Sequence, residues 1–357
     1  MDNSVVISTP PHVKSKRTTR GIMIDVCIAL APCALAGCVF FGWQALLIIL
    51  MSVFACVATE FVYFFIANKG FSKKCVNAKS VCVRWLKQFD FTSVVTGIIL
   101  ALILPTTDKW YEVFYEVIIG AVFSIAIVKM VFGGTGKNLV NPAAAGRVFM
   151  AISFAAVTTY TAANFSALEF ESGIFTGSTN LWWLLNNNGG NPETKLTVID
   201  LFLGTGVAGC IGETCKISIL AGYIYLSVRK VIKWWQPLLF IAVFGFTAVF
   251  MSGFAFIPTG GYIFDMELFL PHIFSGGVLF GAVFMFTDYC TSPKGVYGQL
   301  VYYVVAAVLV AVLRYLTKLE VTSFVILLMN LVVPLIDKYI IARPFGYKKI
   351  KANKGDK

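Results

Sequence analysis

IMIDVCIALAPCALAGCVFF (residues 22–41) and ALLIILMSVFACVATEFVYFFIA (residues 45–67) carry one charged residue each, Asp25 and Glu60. An α-helix rises 1.5 Å per residue, so about 20 apolar residues cross the ~30 Å hydrocarbon core of a bilayer. Both runs reach that length. Eight more apolar runs follow between polar breaks: Phe91–Leu104, Val117–Phe132, Pro142–Thr159, Cys215–Val228, Pro237–Phe256, Phe269–Phe286, Leu300–Leu313 and Val321–Ile336. Across the 357 residues, 58% are hydrophobic and 13% charged, where a soluble domain carries about 25% charged residues. So few charges would leave large apolar patches in water, which excludes a disordered chain, a nucleic-acid binder with a charged surface and most soluble enzymes. The pattern predicts an all-α polytopic membrane protein with about ten transmembrane helices.

The formal charge of +11 speaks first to topology. With a cytoplasmic N-terminus, ten spans return the C-terminus to the cytoplasm. The inner segments then hold 24 of the 29 Lys and Arg residues, and only Lys109, Lys195, Lys216, Arg314 and Lys318 lie outside. That asymmetry satisfies the positive-inside rule and makes the basic stretches anchors facing membrane lipid rather than nucleic-acid sites. The first apolar run is long enough to span, so no cleavable signal peptide is expected. The predicted organisation is a cytoplasmic segment 1–21, a five-helix half 22–159, an outer loop 160–214, a second five-helix half 215–336 and a basic cytoplasmic tail 337–357.

The third, fifth, sixth and ninth runs are short and bordered by Gly, Pro, Asn or charged residues, a pattern of broken helices meeting around a site. Two inner polar loops, Gly133–Pro142 and Asp288–Gly295, each end one span and open the next, suggesting an inverted-repeat bundle. The first loop is not a Walker loop, because Asn138 follows Lys137 where Ser or Thr is required. Its glycines let backbone N–H groups approach an anion or a polar ring, and Pro142 opens a helix whose positive dipole end faces the loop. Asn138, Asn141 and Arg147 are therefore candidate cofactor-binding residues, with a tight turn between spans as the alternative. Asp25, Glu60, Arg147, Glu213 and Asp288 fall in or at the edge of spans, where a charge is costly and functional by default. Asp25 and Arg147 lie close enough to a span end to snorkel or pair; Asp25 and Glu60 are the candidates for an ion pathway. Nine cysteines without a CxxC pair, and two histidines, argue against a metal centre.

Four segments carry a resemblance: Thr18–Val26, Gly133–Arg147 (GGTGKNLVNPAAAGR), Asp200–Thr214 (DLFLGTGVAGCIGET) and Asp288–Gly298 with Thr291-Ser292-Pro293. In order and over nearly the whole chain they resemble the RnfD family, the flavin-bearing membrane subunit of the Rnf ion-translocating oxidoreductase. That family is related to NqrB of the sodium-pumping NADH:quinone reductase, and the lack of a long N-terminal extension favours RnfD. The resemblance implies an FMN joined through its phosphate to a threonine of a [ST]-G-A-T segment on the outer side. The matching stretch is Thr176-Gly177-Ser178-Thr179, with Thr179 as acceptor and Thr176, Gly177 and Ser178 as its recognition neighbours. Ser178 departs from the usual Ala, and Gly173 and Asn180 stand where an acidic residue and a proline are often found.

The resemblance further implies electron transfer from ferredoxin to NAD+ coupled to Na+ or H+ export, with the sister A, B, C, E and G subunits of the Rnf complex as partners in a bacterial inner membrane. It also allows a non-covalent riboflavin. No catalytic residue is identified, and none is expected to act in the isolated chain. Two readings compete: a small-solute channel of the urea or ammonium type, which the related fold resembles, and a scaffold whose flavin site has decayed.

Overall fold

The computed structural model describes residues 17–70, 78–106, 110–154, 197–255 and 266–340. The described residues are helical, with no β-strand. The helices are α1 (Thr19–Gly70), α2 (Ala78–Gln88), α3 (Thr92–Leu102), α4 (Trp110–Val122), which runs into a π-helix at Phe123–Met130, and α5 (Pro142–Ser153). They continue with α6 (Val198–Leu203), α7 (Lys216–Val228), α8 (Trp235–Ala255), α9 (Phe269–Phe274), α10 (Val278–Phe280) with a second π-helix at Gly281–Met285, α11 (Val296–Thr317) and α12 (Thr322–Tyr339).

Within the described residues, each of the ten apolar runs falls on one of these helices or helix pairs. Five described helices are long and apolar enough to cross a membrane, and up to seven if each of two bent pairs is one span. The chain is thus a multi-pass membrane protein. The first two runs share α1, whose 52 residues are interrupted at Gly42 (φ 68°, ψ −154°); at 1.5 Å per residue an unbroken helix would measure about 78 Å, more than twice the hydrocarbon core.

The bent pairs are Val81–Gln88 with Thr92–Leu102, turned by 68°, and Met266–Phe274 with Val278–Met285, turned by 72°. The second helix of the first pair carries the third run, and the second pair carries the eighth. Two expectations change here. The eighth run, expected to be continuous, is broken at Ser275-Gly276-Gly277. The ninth, expected to be short, is a 22-residue helix that starts four residues earlier, at Val296. Its polar residues are accommodated inside the bundle: Gln299 Nε2 donates to Pro293 O (2.9 Å) and Arg314 Nη1 to His272 O (3.0 Å).

α3 is the central strut. Ser52 Oγ of α1 donates to Gly97 O at 2.8 Å, and a Cβ on Gly97 would lie 2.8 Å from Val53 Cα, so the two backbones touch. Leu100, Leu102, Phe240, Phe244, Phe280, Phe286, Tyr302 and Tyr303 are fully buried in a single core. Large apolar side chains such as Leu35, Phe54, Ile152 and Val228 point outward, a surface suited to lipid.

Candidate functional site

The Gly-rich loop ends in a helix cap. Asn141 Oδ1 accepts from Ala143 N (3.0 Å) and Ala144 N (3.2 Å), and Pro142 occupies the first turn of α5, where its missing N–H is no loss. Gly133, Gly134 and Gly136 have φ of 105°, 87° and 86°, a region that side-chain-bearing residues rarely enter. The loop therefore needs these glycines to turn from the first π-helix into α5.

A cavity of about 100 Å³ opens beside this turn. Asn138, Asn141, Thr92, Thr135 and Lys129 border it from one side, and Asp288, Tyr289 and Cys290 of the second polar loop from the other; Met23, Ile99, Leu226 and Phe284 supply apolar wall. Both polar loops picked out in the sequence thus meet at one cavity. Asn138 Oδ1 is buried there without a hydrogen-bond partner among the described residues. Asp288 is held by Thr291 Oγ1 (3.1 Å), while burial pushes its carboxyl above the usual carboxylate range. Arg147 does not line the cavity. It lies further along α5, buried, where its charge acts on Cys210 and Glu213.

The two ion-pathway candidates are both paired. Asp25 meets Arg229 (Nη2 to Oδ1, 3.1 Å; Nε to Oδ1, 3.2 Å) and accepts from the Tyr225 hydroxyl at 3.2 Å. Glu60 Oε1 faces Lys129 Nζ at 3.3 Å, and Ser93 Oγ donates to its Oε2. Lys129 Nζ also donates to Thr92 Oγ1 (2.5 Å) and Ser93 Oγ (3.0 Å), and Thr92 Oγ1 donates to Asp90 Oδ1 at 2.6 Å. This network reaches the cavity through Thr92, Lys129 and Thr135. Sequence reasoning counted Lys129 as a surface anchor, and its pairing with a residue 69 positions away leaves no local signal.

Lys129, Arg147, Lys216 and Arg314 are all buried, which removes Lys129 and Arg147 from the inner anchors and Lys216 and Arg314 from the basic residues counted on the outer side. Each has polar or charged groups close by, so none needs to snorkel. Setting the four aside leaves 22 basic residues expected inside against 3 outside. Thr176, Gly177, Ser178 and Thr179 lie outside the described residues, as do both chain termini.

Comparison with known proteins agrees with the resemblance. The chain is 34% identical to the D subunit of the Na(+)-translocating ferredoxin:NAD(+) oxidoreductase complex of Acetobacterium woodii, over 98% of this chain and 97% of that protein. It is 32% identical to the D subunit of the proton-translocating ferredoxin:NAD(+) oxidoreductase complex of Clostridium ljungdahlii, over 97% and 98%. Identity to the D subunit of the ion-translocating oxidoreductase complex of Alcanivorax borkumensis is 29%, over 99% of each chain. The family model described as NQR2, RnfD, RnfE matches residues 6–346. A match of that extent leaves no segment of the membrane bundle outside it, and the chain belongs to the NQR2, RnfD, RnfE family.

Proposed function

We propose that this chain is the RnfD-type membrane subunit of an ion-translocating ferredoxin:NAD+ oxidoreductase complex in a bacterial inner membrane, with both termini cytoplasmic and an FMN esterified to Thr179. The observation that carries the reading is end-to-end similarity to two proteins named as that subunit, at 34% and 32% identity. Their names differ in the ion moved, so the likeness leaves Na+ and H+ equally open. The sister A, B, C, E and G subunits are the proposed partners.

A bound flavin supplies one- and two-electron transfer. The chain's own part is to hold, orient and insulate. Thr179 offers a hydroxyl in a polar loop, Gly177 and Ser178 keep its surroundings small, and a phosphoester there keeps the ring at high local concentration beside its redox partners. The cavity at the Gly-rich loop fits the edge of a second, non-covalent flavin such as riboflavin. Asn138 Oδ1, unpartnered among the described residues, accepts a ring N–H, the Lys129–Glu60 pair lies buried beside the ring edge, and the apolar wall takes the ring face. Asn141 acts on this site through the cap of α5, by fixing where the loop backbone lies.

The reading is tested by fluorescence of the denatured co-expressed complex under ultraviolet light. Wild type should show a flavin band at the mass of this chain that survives detergent, and Thr179→Ala should lack it while the complex still assembles. A band unaffected by Thr179→Ala or Thr176→Ala removes the assignment of the loop; loss only in Thr176→Ala moves the acceptor by three residues.

A further inference from the structure

We propose that Glu213 and the diglycine bend beside it form a binding site for a small monovalent cation, a proton or Na+, at the opposite end of α3 from the Gly-rich loop. The proposal rests on the ion-translocating reading above and adds the residues that would hold the ion.

The segment between α6 and α7 folds into the bundle. Ile211 N donates to Leu104 O (3.1 Å) and Gly212 N to Leu102 O (2.7 Å), at the far end of α3. This carries Glu213 into the interior, where 8% of its surface remains exposed. Its Oε1 lies against Gly277, where any Cβ would collide with it, and Glu320 Oε2 lies against Gly276 in the same way. The 72° break between α9 and α10 is thus clasped by two carboxylates.

The buried cations around them are engaged elsewhere. Arg314 gives Nη1 to His272 O (3.0 Å) and Nη2 to Ser275 O, with Glu320 Oε2 at 3.4 Å. Lys216 Nζ donates to the backbone oxygen of Glu213, not to its carboxylate. Among the described residues no lysine or arginine nitrogen forms an ion pair with the Glu213 carboxylate. The charges facing it are Lys216 on its own segment, Arg147 from α5 and Glu320 beyond α11, with Arg314 and His272 behind.

A buried carboxylate without a contacting counter-ion is retained by taking up a proton or a cation. A second observation points the same way. Thr214 Oγ1 and Ser275 Oγ, both on residues 1% exposed, have no hydrogen-bond partner among the described residues. They lie on the two segments that meet at Glu213, and hydroxyl and carboxylate oxygens are the ligands that hard cations take. Asp25 and Glu60, the acids of the first two apolar runs, each make an ion pair, whereas among the described residues the Glu213 carboxylate makes none, although Lys216 and Arg147 act on it from a greater distance.

Dicyclohexylcarbodiimide tests the site in the intact detergent-purified complex. The O–H of a protonated buried carboxyl adds across its C=N bond, and the adduct rearranges to a stable N-acylurea, so nothing is released and nothing is oxidised. Peptide mass spectrometry then reads the modified fraction at Glu213. Suppression by NaCl but not KCl at fixed pH identifies Na+. Suppression by rising pH alone, about tenfold per unit above the midpoint as single-site titration requires, identifies the proton. Modification that is absent throughout, or insensitive to both, overturns the proposal. Flavin fluorescence of the same denatured sample reports on Thr179 separately, so failure of the cation site and failure of the Rnf assignment are told apart.

Discussion

Lys129 shows how one side chain can be worth more inside a membrane protein than its residue type suggests. It is 1% exposed, and its ammonium is shared among Glu60, Thr92 and Ser93. Removing one member of a buried ion pair leaves the other charged and uncompensated, at a cost of about 3–5 kcal/mol. Lys129→Met should therefore lower the thermal midpoint of the purified complex sharply, and the double variant Lys129→Met with Glu60→Gln should recover most of it; a double variant no better than the single would mean that Lys129 acts through packing. Asn141 makes a smaller demand. Asn141→Ala deletes two accepted hydrogen bonds at the start of α5 and should cost about 1 kcal/mol, whereas Asn141→Asp or Asn141→Ser keeps the cap. Comparing the three midpoints checks this, since equal losses in all three would exclude capping as the cause.

At the scale of elements, the α1 and α3 backbones meet at Gly97, where an added methyl would sit 3.1 Å from Ser52 O as well as against Val53. Gly97→Ala should destabilise by about 1–3 kcal/mol through overpacking. Gly134→Ala, in open space, should cost less, because it meets only the backbone preference at φ 87°. Parallel denaturation of the two variants decides between them. The runs of apolar residues made these helices legible, because a bilayer imposes one length on every crossing. The break at Ser275–Gly277 was not, since hydropathy averaged over Phe269–Phe286 is blind to φ and to a carboxylate arriving from Glu213 or Glu320. The same limit applies to the site. Asn141-Pro142 reads as a helix start from adjacent residues alone, so the loop was found. Asn138 and Asp288, 150 positions apart, share a cavity only once the two halves have packed. Arg147 was grouped with the loop on sequence proximity, yet it lies off the cavity lining and its charge acts on Cys210 and Glu213.

For the whole molecule, the charge asymmetry predicts that cysteines placed at Asn188 and Lys354 react with an impermeant thiol reagent from opposite sides of the membrane. Labelling of both from one side would overturn the orientation. Isolated from its complex the chain should neither oxidise NADH nor reduce ferredoxin, because its sequence contains no dinucleotide-binding glycine motif after a strand and no cluster-binding cysteine spacing; turnover by the purified single chain would require a different assignment. The interruption of α1 at Gly42 bears on how such a molecule is made. Only one residue departs from helical geometry between two membrane lengths of helix, so the ribosome delivers no hydrophilic connector there for the insertion machinery to hand across to water. The two crossings are therefore expected to partition together, as one unit.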